Sequence, residues 1–475
     1  MQALLNEILE VVGPTGLLIG EAVSQRQVDW MTGIPCRAGA IVRPASTEAL
    51  SQVMRLCHAA RQPVVTHGGV TGLVHGGEAS PQEIVISLER MNAIEAVDVV
   101  GGTLTVQAGA PLQKVQEAAE ARGMQFPLDL GARGSCTIGG NIATNAGGTR
   151  VILYGMMRQQ VLGLEAVLAD GSVISSLNRM LKNNAGYDLK QLFIGSEGTL
   201  GIVTRAVLKL QPMTTSAQTA LVAVPSFEAL TGLLQAMRHR LGGQLSAFEV
   251  MWQSHYRLLT EESGRHAAPI STEYPYYAII EAQGVDDERE ARQFNQALES
   301  AFEAGVVSDA VVAQSETQRQ GLWAIREDIE GLIQGLAPLF TFDISLPIPD
   351  MQAYVDQLEK QLHSRWPQRG RMVVFGHLGD GNLHLSVSVG SGDRESRRAV
   401  EQLVYSPLSE LGGSVSAEHG IGLEKRDYLA LSRTPEEISL MRLLKQALDP
   451  FALLNRHKVL GPSEEPVQTT NERSI

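Results

Sequence analysis

The sequence lacks paired cysteines and an excess of basic residues. Cys36, Cys57 and Cys136 are an odd number without paired spacing, which argues against a disulfide framework and against a cysteine-rich zinc site. The 39 basic and 52 acidic residues leave a formal net charge of −13. Nucleic acids and anionic membranes bind a basic face, so the sequence predicts neither as a partner.

Long hydrophobic runs and a secretory signal are missing as well. No window approaches eighteen uninterrupted apolar residues, and Glu7 and Glu10 stand where a signal peptide would carry lysine or arginine. We therefore expect a soluble protein without a transmembrane segment, located by default in the cytoplasm.

The chain is long enough for more than one hydrophobic core, with 475 residues of which 44% are hydrophobic. From about residue 38 to 212, short β-branched runs alternate with helical stretches and glycine-rich turns, a pattern typical of an α+β nucleotide-binding region. Longer strands and amphipathic helices follow. We predict one domain over residues 1–212, a second over 213–460, and a disordered polar tail over 461–475.

Two glycine-rich segments lie in the first predicted domain. Residues 66–77 follow an apolar strand and offer unencumbered backbone N–H groups, which suit a pyrophosphate. Residues 134–148 are small and mostly uncharged, so this segment can lie flat against a heteroaromatic ring. A flexible surface loop would explain the first segment alone, but the pair favours a flat, phosphorylated cofactor. The absence of a G-x-G-x-x-G fingerprint disfavours a nicotinamide-binding Rossmann unit.

A histidine-containing hairpin is predicted over residues 371–389. Asp380 and Gly381 form a dipeptide favoured in tight turns, and if they form the turn, His377 and His384 are directly opposed with Cβ atoms about 5 Å apart. The alternation along the second strand assigns its members to two faces: Leu383, Leu385, Val387 and Val389 to one, and His384, Ser386 and Ser388 to the other. His384 then faces a polar space.

A third metal ligand is available in residues 416–422, which contain Glu418 and His419. Two histidines and one carboxylate leave coordination positions open, as in catalytic sites, whereas a structural zinc site has four protein ligands. A single histidine is more often a hydrogen-bonded core or surface residue. The convergence of His377, His384 and Glu418 favours a metal site.

Several motifs together resemble a known family. RPASTEAL, HGGVTGLVHGG, GGNIATNAGG and GSEGTLGIVT are similar to the FAD-binding domain of the vanillyl-alcohol oxidase and p-cresol methylhydroxylase superfamily. The C-terminal motifs resemble the branch that contains D-lactate and D-2-hydroxyglutarate dehydrogenases. The resemblance implies an α+β fold, with a two-subdomain FAD-binding domain and a substrate domain made of an antiparallel sheet and flanking helices. It also implies FAD bound without a covalent bond, although His67 and His75 lie in the loop through which some members attach it.

The resemblance implies roles for individual residues. The metal, a divalent ion of zinc type, would be held by His377, His384 and Glu418. Asn382 would contact the substrate, Arg326 would grip a substrate carboxylate, and His419 would be the base. The cofactor would be bound by His67, Gly68, Gly69, Val70, Thr71, Gly72, Pro127, Asp129, Ser135, Ile138, Gly139, Gly140, Ala143, Thr144, Gly147, Gly148, Glu197, Gly198 and Ile202. The implied reaction is oxidation of a small D-2-hydroxy acid to the 2-oxo acid, with hydride transfer to the flavin.

Two substrate-binding positions differ from those of the D-2-hydroxyglutarate dehydrogenases. Glu330 replaces a hydroxyl residue and could pair with Arg326 at i−4, and Thr341 replaces a lysine. Both changes favour D-lactate or a neutral-tailed hydroxy acid slightly, with D-2-hydroxyglutarate as the alternative.

Rival interpretations keep the FAD scaffold but change its use. They are a metal-free flavoprotein oxidase, an alkyl transferase, and an FAD-carrying subunit of a larger electron-transfer complex. For a dehydrogenase, the electron acceptor could be an electron-transfer flavoprotein, a cytochrome or a quinone. A homodimer is the commonest assembly for such enzymes.

Overall fold

The computed structural model describes residues 1–29 and 33–462. Within these residues the chain forms 16 α-helices and 18 β-strands arranged in four sheets. No helix in this part of the chain is long and apolar enough to cross a membrane. The predicted disordered tail begins at residue 461, and its residues 463–475 lie outside the described part.

The first subdomain is a small, mostly parallel sheet. Its elements are α1 (Gln2–Val12), β1 (Leu17–Leu18), α2 (Glu21–Ser24), β2 (Ala40–Val42), α3 (Thr47–Ala59), β3 (Val64–His67) and β4 (Ile84–Ser87). The strand order is β1-β2-β4-β3, with β2 and β3 both parallel to β4. Ser46 begins α3 by accepting a hydrogen bond from the Ala49 N–H. Strand β3 ends at His67, so the first glycine-rich segment leaves the sheet at its carboxyl edge.

The second subdomain is an antiparallel sheet with order β5-β6-β10-β8-β9 beside a two-stranded pair β11-β7. Its elements are β5 (Ile94–Asp98), β6 (Thr103–Gln107), α4 (Leu112–Glu120), β7 (Met124–Gln125), α5 (Ile138–Ala143), α6 (Val151–Tyr154), α7 (Met157–Gln160), β8 (Val161–Val167), β9 (Val173–Ser176), α8 (Lys190–Phe193), β10 (Ile202–Lys209) and β11 (Gln211–Pro212). The second glycine-rich segment contains α5, whose N-cap Thr137 accepts from the Gly140 N–H.

The rest of the chain is built on a seven-stranded antiparallel sheet with order β15-β12-β14-β13-β17-β18-β16. Its strands are β12 (Ser216–Val224), β13 (Leu245–Trp252), β14 (Tyr276–Gly284), β15 (Asp309–Val312), β16 (Phe340–Ser345), β17 (Arg371–His377) and β18 (Asn382–Ser388). Its helices are α9 (Phe227–Leu241), α10 (Gln253–Arg257), α11 (Asp287–Glu303), α12 (Glu316–Glu327), α13 (Ile329–Leu336), α14 (Met351–Arg365), α15 (Arg394–Tyr405) and α16 (Pro435–Leu448).

Both faces of this sheet are covered by helices. Helices α9, α11, α14 and α15 pack on one face and form the larger core. Helices α10, α12 and α13 pack on part of the other face. The predicted apolar face of β18 is confirmed, since Leu383, Leu385 and Val387 lie in the larger core, and Phe342 of β16 lies there as well. Their polar faces therefore point to the opposite side of the sheet.

The end of the chain returns to the first subdomain. The Val64 N–H donates to the Leu453 carbonyl at 2.8 Å, and the Asn455 N–H donates to the Val64 carbonyl at 3.0 Å. Leu454 is buried in the same core as β3. The two halves of the molecule are thus joined both by the chain at residue 213 and by this returning segment.

Candidate active site

The histidine hairpin forms, but not in the predicted register. His377 pairs with Asn382 and Phe375 pairs with His384, so the prediction that His377 and His384 are directly opposed is wrong. The connection is four residues long: a 3-10 turn over Leu378–Asp380 is followed by Gly381 in the left-handed region, with φ 86°. A register shift of two residues keeps each side chain on its face. The two imidazoles are diagonal neighbours, with ring centroids 5.2 Å apart.

The predicted ligand set comes together in three dimensions. Ligand atoms of His377, His384 and Glu418 all lie within 4.8 Å of one another, and His377 Nε2 is 3.7 Å from Glu418 Oε1. Ligand atoms of a second group, formed by Asp343, His384 and His419, also lie within 4.8 Å of one another. The first group is the better candidate, because Asp343 already accepts several hydrogen bonds, described below.

Glu418 is a largely buried carboxyl group whose charged form needs a positive partner. Burial raises the pKa of Glu418 to about 7, although the nearby His377 lowers it. A buried carboxylate in this situation is stabilised in its charged form by a positive ion beside it. Two imidazoles with one carboxylate are a common donor set for zinc and related divalent ions. The residues present therefore fit the implied metal.

Glu249 lies behind His377. It is on β13, directly across from His377 in the sheet, and its Oε1 is 2.7 Å from His377 Nδ1. Burial alone would lower the pKa of His377, but Glu249 and Glu418 outweigh burial and raise it to about 9. Sequence reasoning missed Glu249, because nothing in the sequence places β13 beside β17.

Asp343 holds the loop that carries Glu418 and His419. Its Oδ2 accepts hydrogen bonds from the backbone N–H groups of Ala417, Glu418 and His419 at 3.1, 2.9 and 3.0 Å. Burial would raise the pKa of Asp343, but His419, Lys425 and the backbone N–H groups hold it well below its usual range. The sequence analysis did not predict this role of Asp343.

The predicted base and the predicted substrate-contacting amide both lie against Asp343. His419 Nδ1 is 3.9 Å from Asp343 Oδ2, and burial lowers the pKa of His419, which favours a neutral imidazole at pH 7. The Asn382 side-chain N–H donates to Asp343 Oδ1 at 2.7 Å. Asn382 Oδ1 is buried and has no hydrogen-bond partner among the described residues. Within the described part of the chain, Asn382 Oδ1 and His419 Nε2 therefore remain free to contact a ligand.

Arg326 is buried next to the cluster, and its guanidinium lies 4.5 Å above the Phe375 ring. Its Nη2 forms an ion pair with Glu249 Oε2 at 2.8 Å, but neither Nη2 nor Nε donates a hydrogen bond within the described chain. The predicted pairing of Arg326 with Glu330 is wrong. The Glu330 side chain is 73% exposed, and its carboxylate is 3.8 Å from Arg265, because α12 ends at Glu327 before Glu330 can align with Arg326.

The two glycine-rich segments pack against each other. A Cβ atom at Gly69 would overlap the Ser135 carbonyl, and one at Gly148 would overlap the Asp129 carbonyl. At Gly139 it would lie 2.7 Å from the Ala108 side chain. Larger residues cannot be accommodated here without movement of the backbone, so the glycines are needed for close packing of the protein. We call this close-packed region, formed by the two glycine-rich segments, the glycine cradle.

Other cofactor-binding candidates are engaged with the surrounding protein. His67 Nε2 is 2.7 Å from the Gly77 carbonyl, and burial lowers the pKa of His67 to about 4. The Glu197 carboxylate accepts from the N–H groups of Ile421 and Gly422 at 2.7 and 2.8 Å, so it ties the FAD-binding candidates to the loop that carries Glu418. The remaining candidates are distributed over the first glycine-rich segment and over α5 and its flanks: Gly68, Val70, Thr71, Gly72, Pro127, Ile138, Gly140, Ala143 and Thr144.

One cavity joins the cradle to the histidine cluster. Its volume is about 1050 Å³, and both sets of residues line it: Gly69, Val70, Thr71, Ser135 and Gly148 from the cradle, and Arg326, Thr341, His377, His384, Glu418 and His419 from the cluster. A Cβ atom at Gly147 would lie 3.2 Å from Glu418 Oε1, so the two regions are in direct contact. Glu330 is not among the residues that line this cavity.

Comparison with solved structures confirms the predicted fold. A p-cresol methylhydroxylase structure superimposes with a TM-score of 0.76 at 14% identity, over 97% of this chain and 98% of its own. An alkyldihydroxyacetonephosphate synthase structure gives a TM-score of 0.74 at 16% identity, over 96% of this chain and 85% of its own. At such identities the likeness concerns the fold alone.

Curated relatives match most of the chain. Three are named D-2-hydroxyglutarate dehydrogenase: one from Danio rerio, 40% identical over 93% of this chain and 82% of its own; one from Arabidopsis thaliana, 38% identical over 93% and 78%; and one from Xanthomonas citri, 40% identical over 92% and 92%.

The names of the first two relatives include the word mitochondrial, which contradicts the predicted cytoplasmic location. That prediction rested on the missing secretory signal and membrane segment, and these absences do not distinguish the cytoplasm from a mitochondrial compartment.

Two family models cover the chain. The FAD binding domain matches residues 38–176, and the C-terminal domain of FAD-linked oxidases matches residues 213–459. The predictions of FAD as cofactor and of an FAD-linked oxidoreductase are confirmed by these matches together with the curated relatives. The chain belongs to the FAD-linked oxidase family and groups there with the D-2-hydroxyglutarate dehydrogenases.

Proposed function

We propose that this protein oxidises D-2-hydroxyglutarate to the 2-oxo acid, with FAD in the glycine cradle and a divalent cation at His377, His384 and Glu418. The observation that carries the proposal is the single cavity that both groups of residues line. A substrate in that cavity would be in reach of the cofactor cradle and the metal ligands together, as a hydroxyl oxidation requires.

The choice of the diacid over D-lactate reverses the slight preference drawn from Glu330 and Thr341. The exposed Glu330 does not pair with Arg326, so one of the two reasons for a monocarboxylate no longer applies. Thr341 lines the cavity without supplying a charge. The names of the curated relatives support D-2-hydroxyglutarate as the substrate.

The chain's own residues would divide the work between binding and proton transfer. When bound, FAD would supply a hydride acceptor, and a divalent cation held by His377, His384 and Glu418 would supply the Lewis acidity that makes a substrate hydroxyl more acidic. Arg326 would bind a substrate carboxylate through its fork of N–H groups. His419 would take the hydroxyl proton on Nε2, while its Nδ1 faces Asp343. Asn382 would orient the substrate through Oδ1.

A kinetic panel tests this function. The purified holoenzyme is assayed with D-2-hydroxyglutarate, D-lactate and D-malate and an artificial electron acceptor, before and after exhaustive treatment with a chelator. We expect the highest kcat/KM for D-2-hydroxyglutarate and loss of turnover after chelation. A strong preference for D-lactate would overturn the substrate assignment. Full turnover without metal would favour the metal-free flavoprotein oxidase, which rapid peroxide production would identify.

The partner in electron transfer and the assembly remain predictions from the family resemblance. An electron-transfer flavoprotein, a cytochrome or a quinone would each fit as the acceptor, and a homodimer is the proposed assembly. Reduced-flavin reoxidation rates with each acceptor, and the mass of the holoenzyme in solution, measure these two properties directly.

A further inference from the structure

We infer that Glu249 is a positioning residue that orients both the metal ligand His377 and the substrate-binding Arg326. One buried carboxylate then influences both the affinity for the cation and the affinity for the substrate. The inference rests on the proposed function, since it takes His377 as a metal ligand and Arg326 as a carboxylate-binding residue.

The Glu249 side chain bridges two structural elements, β17 and α12. Glu249 is 1% exposed and lies within β13. Its Oε1 is 2.7 Å from His377 Nδ1 on β17, and its Oε2 is 2.8 Å from Arg326 Nη2 on α12. β17 and α12 are far apart in sequence. Glu249 therefore links His377 and Arg326 directly, through one carboxylate.

The contact with His377 determines which ring nitrogen can bind a metal. When Nδ1–H donates to Glu249, the proton is held on Nδ1 and the lone pair of Nε2 is free. Nε2 is the nitrogen that lies 3.7 Å from Glu418 Oε1. A carboxylate behind a ligating histidine also increases the basicity of the ring, and loss of such a partner typically weakens metal binding by about 10- to 100-fold.

The contact with Arg326 determines where the guanidinium points. The Phe375 ring supports one face of the guanidinium at 4.5 Å, and Glu249 forms an ion pair with Nη2 at 2.8 Å. Nε and Nη2 are both buried, and neither donates a hydrogen bond within the part of the chain that the structure describes. A buried donor without a partner is costly, and a substrate carboxylate in the cavity would satisfy it.

The neighbouring strand offers a matched control. Glu281 on β14 is also buried and also binds arginines, with Arg150 Nε at 3.2 Å and Arg319 Nη1 at 3.3 Å. The Trp323 indole N–H also donates to it, at 3.0 Å. Glu281 therefore shares the burial and charge of Glu249 but contacts neither His377 nor Arg326 in any bond or ion pair described for it.

The first experiment measures Zn²⁺ affinity by chelator competition in the FAD-loaded protein without substrate. The variants are Glu249→Ala, Glu249→Gln, His377→Ala and Glu281→Gln. We expect Glu249→Ala to weaken Zn²⁺ binding by about 10- to 100-fold, and Glu249→Gln to weaken it less, because the amide oxygen can still accept from Nδ1–H. Glu281→Gln should bind Zn²⁺ as the wild type does.

The second experiment measures KM for D-2-hydroxyglutarate at saturating Zn²⁺. Glu249→Gln should raise KM by about 10-fold, because the ion pair with Arg326 is lost and the amide N–H group would face the guanidinium and displace it. If Glu249→Ala does not fold, Glu249→Gln carries the test, with bound FAD and circular dichroism as measures of the fold. Glu249→Asp, which keeps the charge on a shorter side chain, should recover part of either loss.

The outcomes separate this inference from the proposed function. If the wild type has no tight Zn²⁺ site, or if His377→Ala keeps it, the metal part of the proposed function is wrong and the inference fails with it. If His377→Ala abolishes the site while both Glu249 variants bind Zn²⁺ and substrate normally, the inference alone is wrong. Equal weakening of Zn²⁺ binding in Glu281→Gln would also overturn it, because burial of charge would then explain the effect.

Discussion

The glycine cradle and the histidine cluster line the same cavity, but the first depends on the absence of side chains and the second on charged side chains. The cradle depends on missing side chains: at Gly69 and Gly148 a Cβ atom would overlap a backbone carbonyl. The cluster depends on charged side chains that other buried groups orient, with Glu249 behind His377 and Asp343 behind His419. Added volume should therefore damage the cradle, and removed charge should damage the cluster, each with little effect on the other.

Removal of the metal should have the largest effect. Chelation should lower turnover by at least about a thousandfold, because a bound cation supplies several kcal/mol of charge stabilisation in such reactions. Flavin absorbance of the gel-filtered protein should stay unchanged, since the cradle residues include none of His377, His384 and Glu418. Release of FAD together with the metal would show that the two regions are not independent.

Loss of the base should come next. His419→Ala should slow flavin reduction by about 10²- to 10⁴-fold in stopped-flow measurements, the usual contribution of a general base. Zn²⁺ affinity should change little, since His419 is not in the group formed by His377, His384 and Glu418. Unchanged flavin reduction would assign the proton transfer to another group.

Added volume in the cradle should weaken FAD binding. Gly69→Ala places a methyl group against the Ser135 carbonyl, and overpacking of this kind costs about 1–3 kcal/mol. We expect a roughly 5- to 150-fold lower FAD affinity by fluorescence titration, with Zn²⁺ affinity retained. Gly232→Ala in α9 is the control, because a Cβ atom there has nothing within 4 Å and the position lies outside both glycine-rich segments. Equal FAD affinity in both variants would remove close packing as the explanation.

The smallest effect concerns a charge outside both regions. Asp328 caps α13, and although burial raises its pKa, Arg265, the Gly331 N–H and His266 outweigh burial and lower it to about 2. Because the folded-state pKa lies below the usual value, the stabilisation is present above about pH 4 and is lost as the pH falls towards 2. Asp328→Asn should reduce the free energy of unfolding by about 1 kcal/mol at pH 7, after allowance for solvent screening.

Urea unfolding at pH 7 and at pH 2.5 checks this dependence. The difference between Asp328→Asn and the wild type should shrink at the lower pH. FAD and Zn²⁺ affinities should be unaffected at pH 7. A change in either affinity would show that α13 participates in one of the two regions.

The sequence predicted the fold class and the membership of the site more fully than it predicted its geometry. Glycine segments and ligand residues are chemical features of short stretches, so His377, His384, Glu418 and His419 could be named without coordinates. Strand faces were equally accessible, because side chains alternate with a period of two. The hairpin register was not, because the turn could contain two residues or four and both keep His377 and His384 on one face.

What the sequence by itself determined is therefore local: where the backbone can approach a ligand, and which side chains could bind a metal or accept a proton. Tertiary structure decided which distant residues orient them. Glu249 reaches His377 across a strand pair separated by 128 residues, Asp343 holds a loop 74 to 76 residues further along, and Glu330 points into solvent because α12 ends before it. Such contacts arise from sheet order and helix ends, and these follow from the packing of the whole chain.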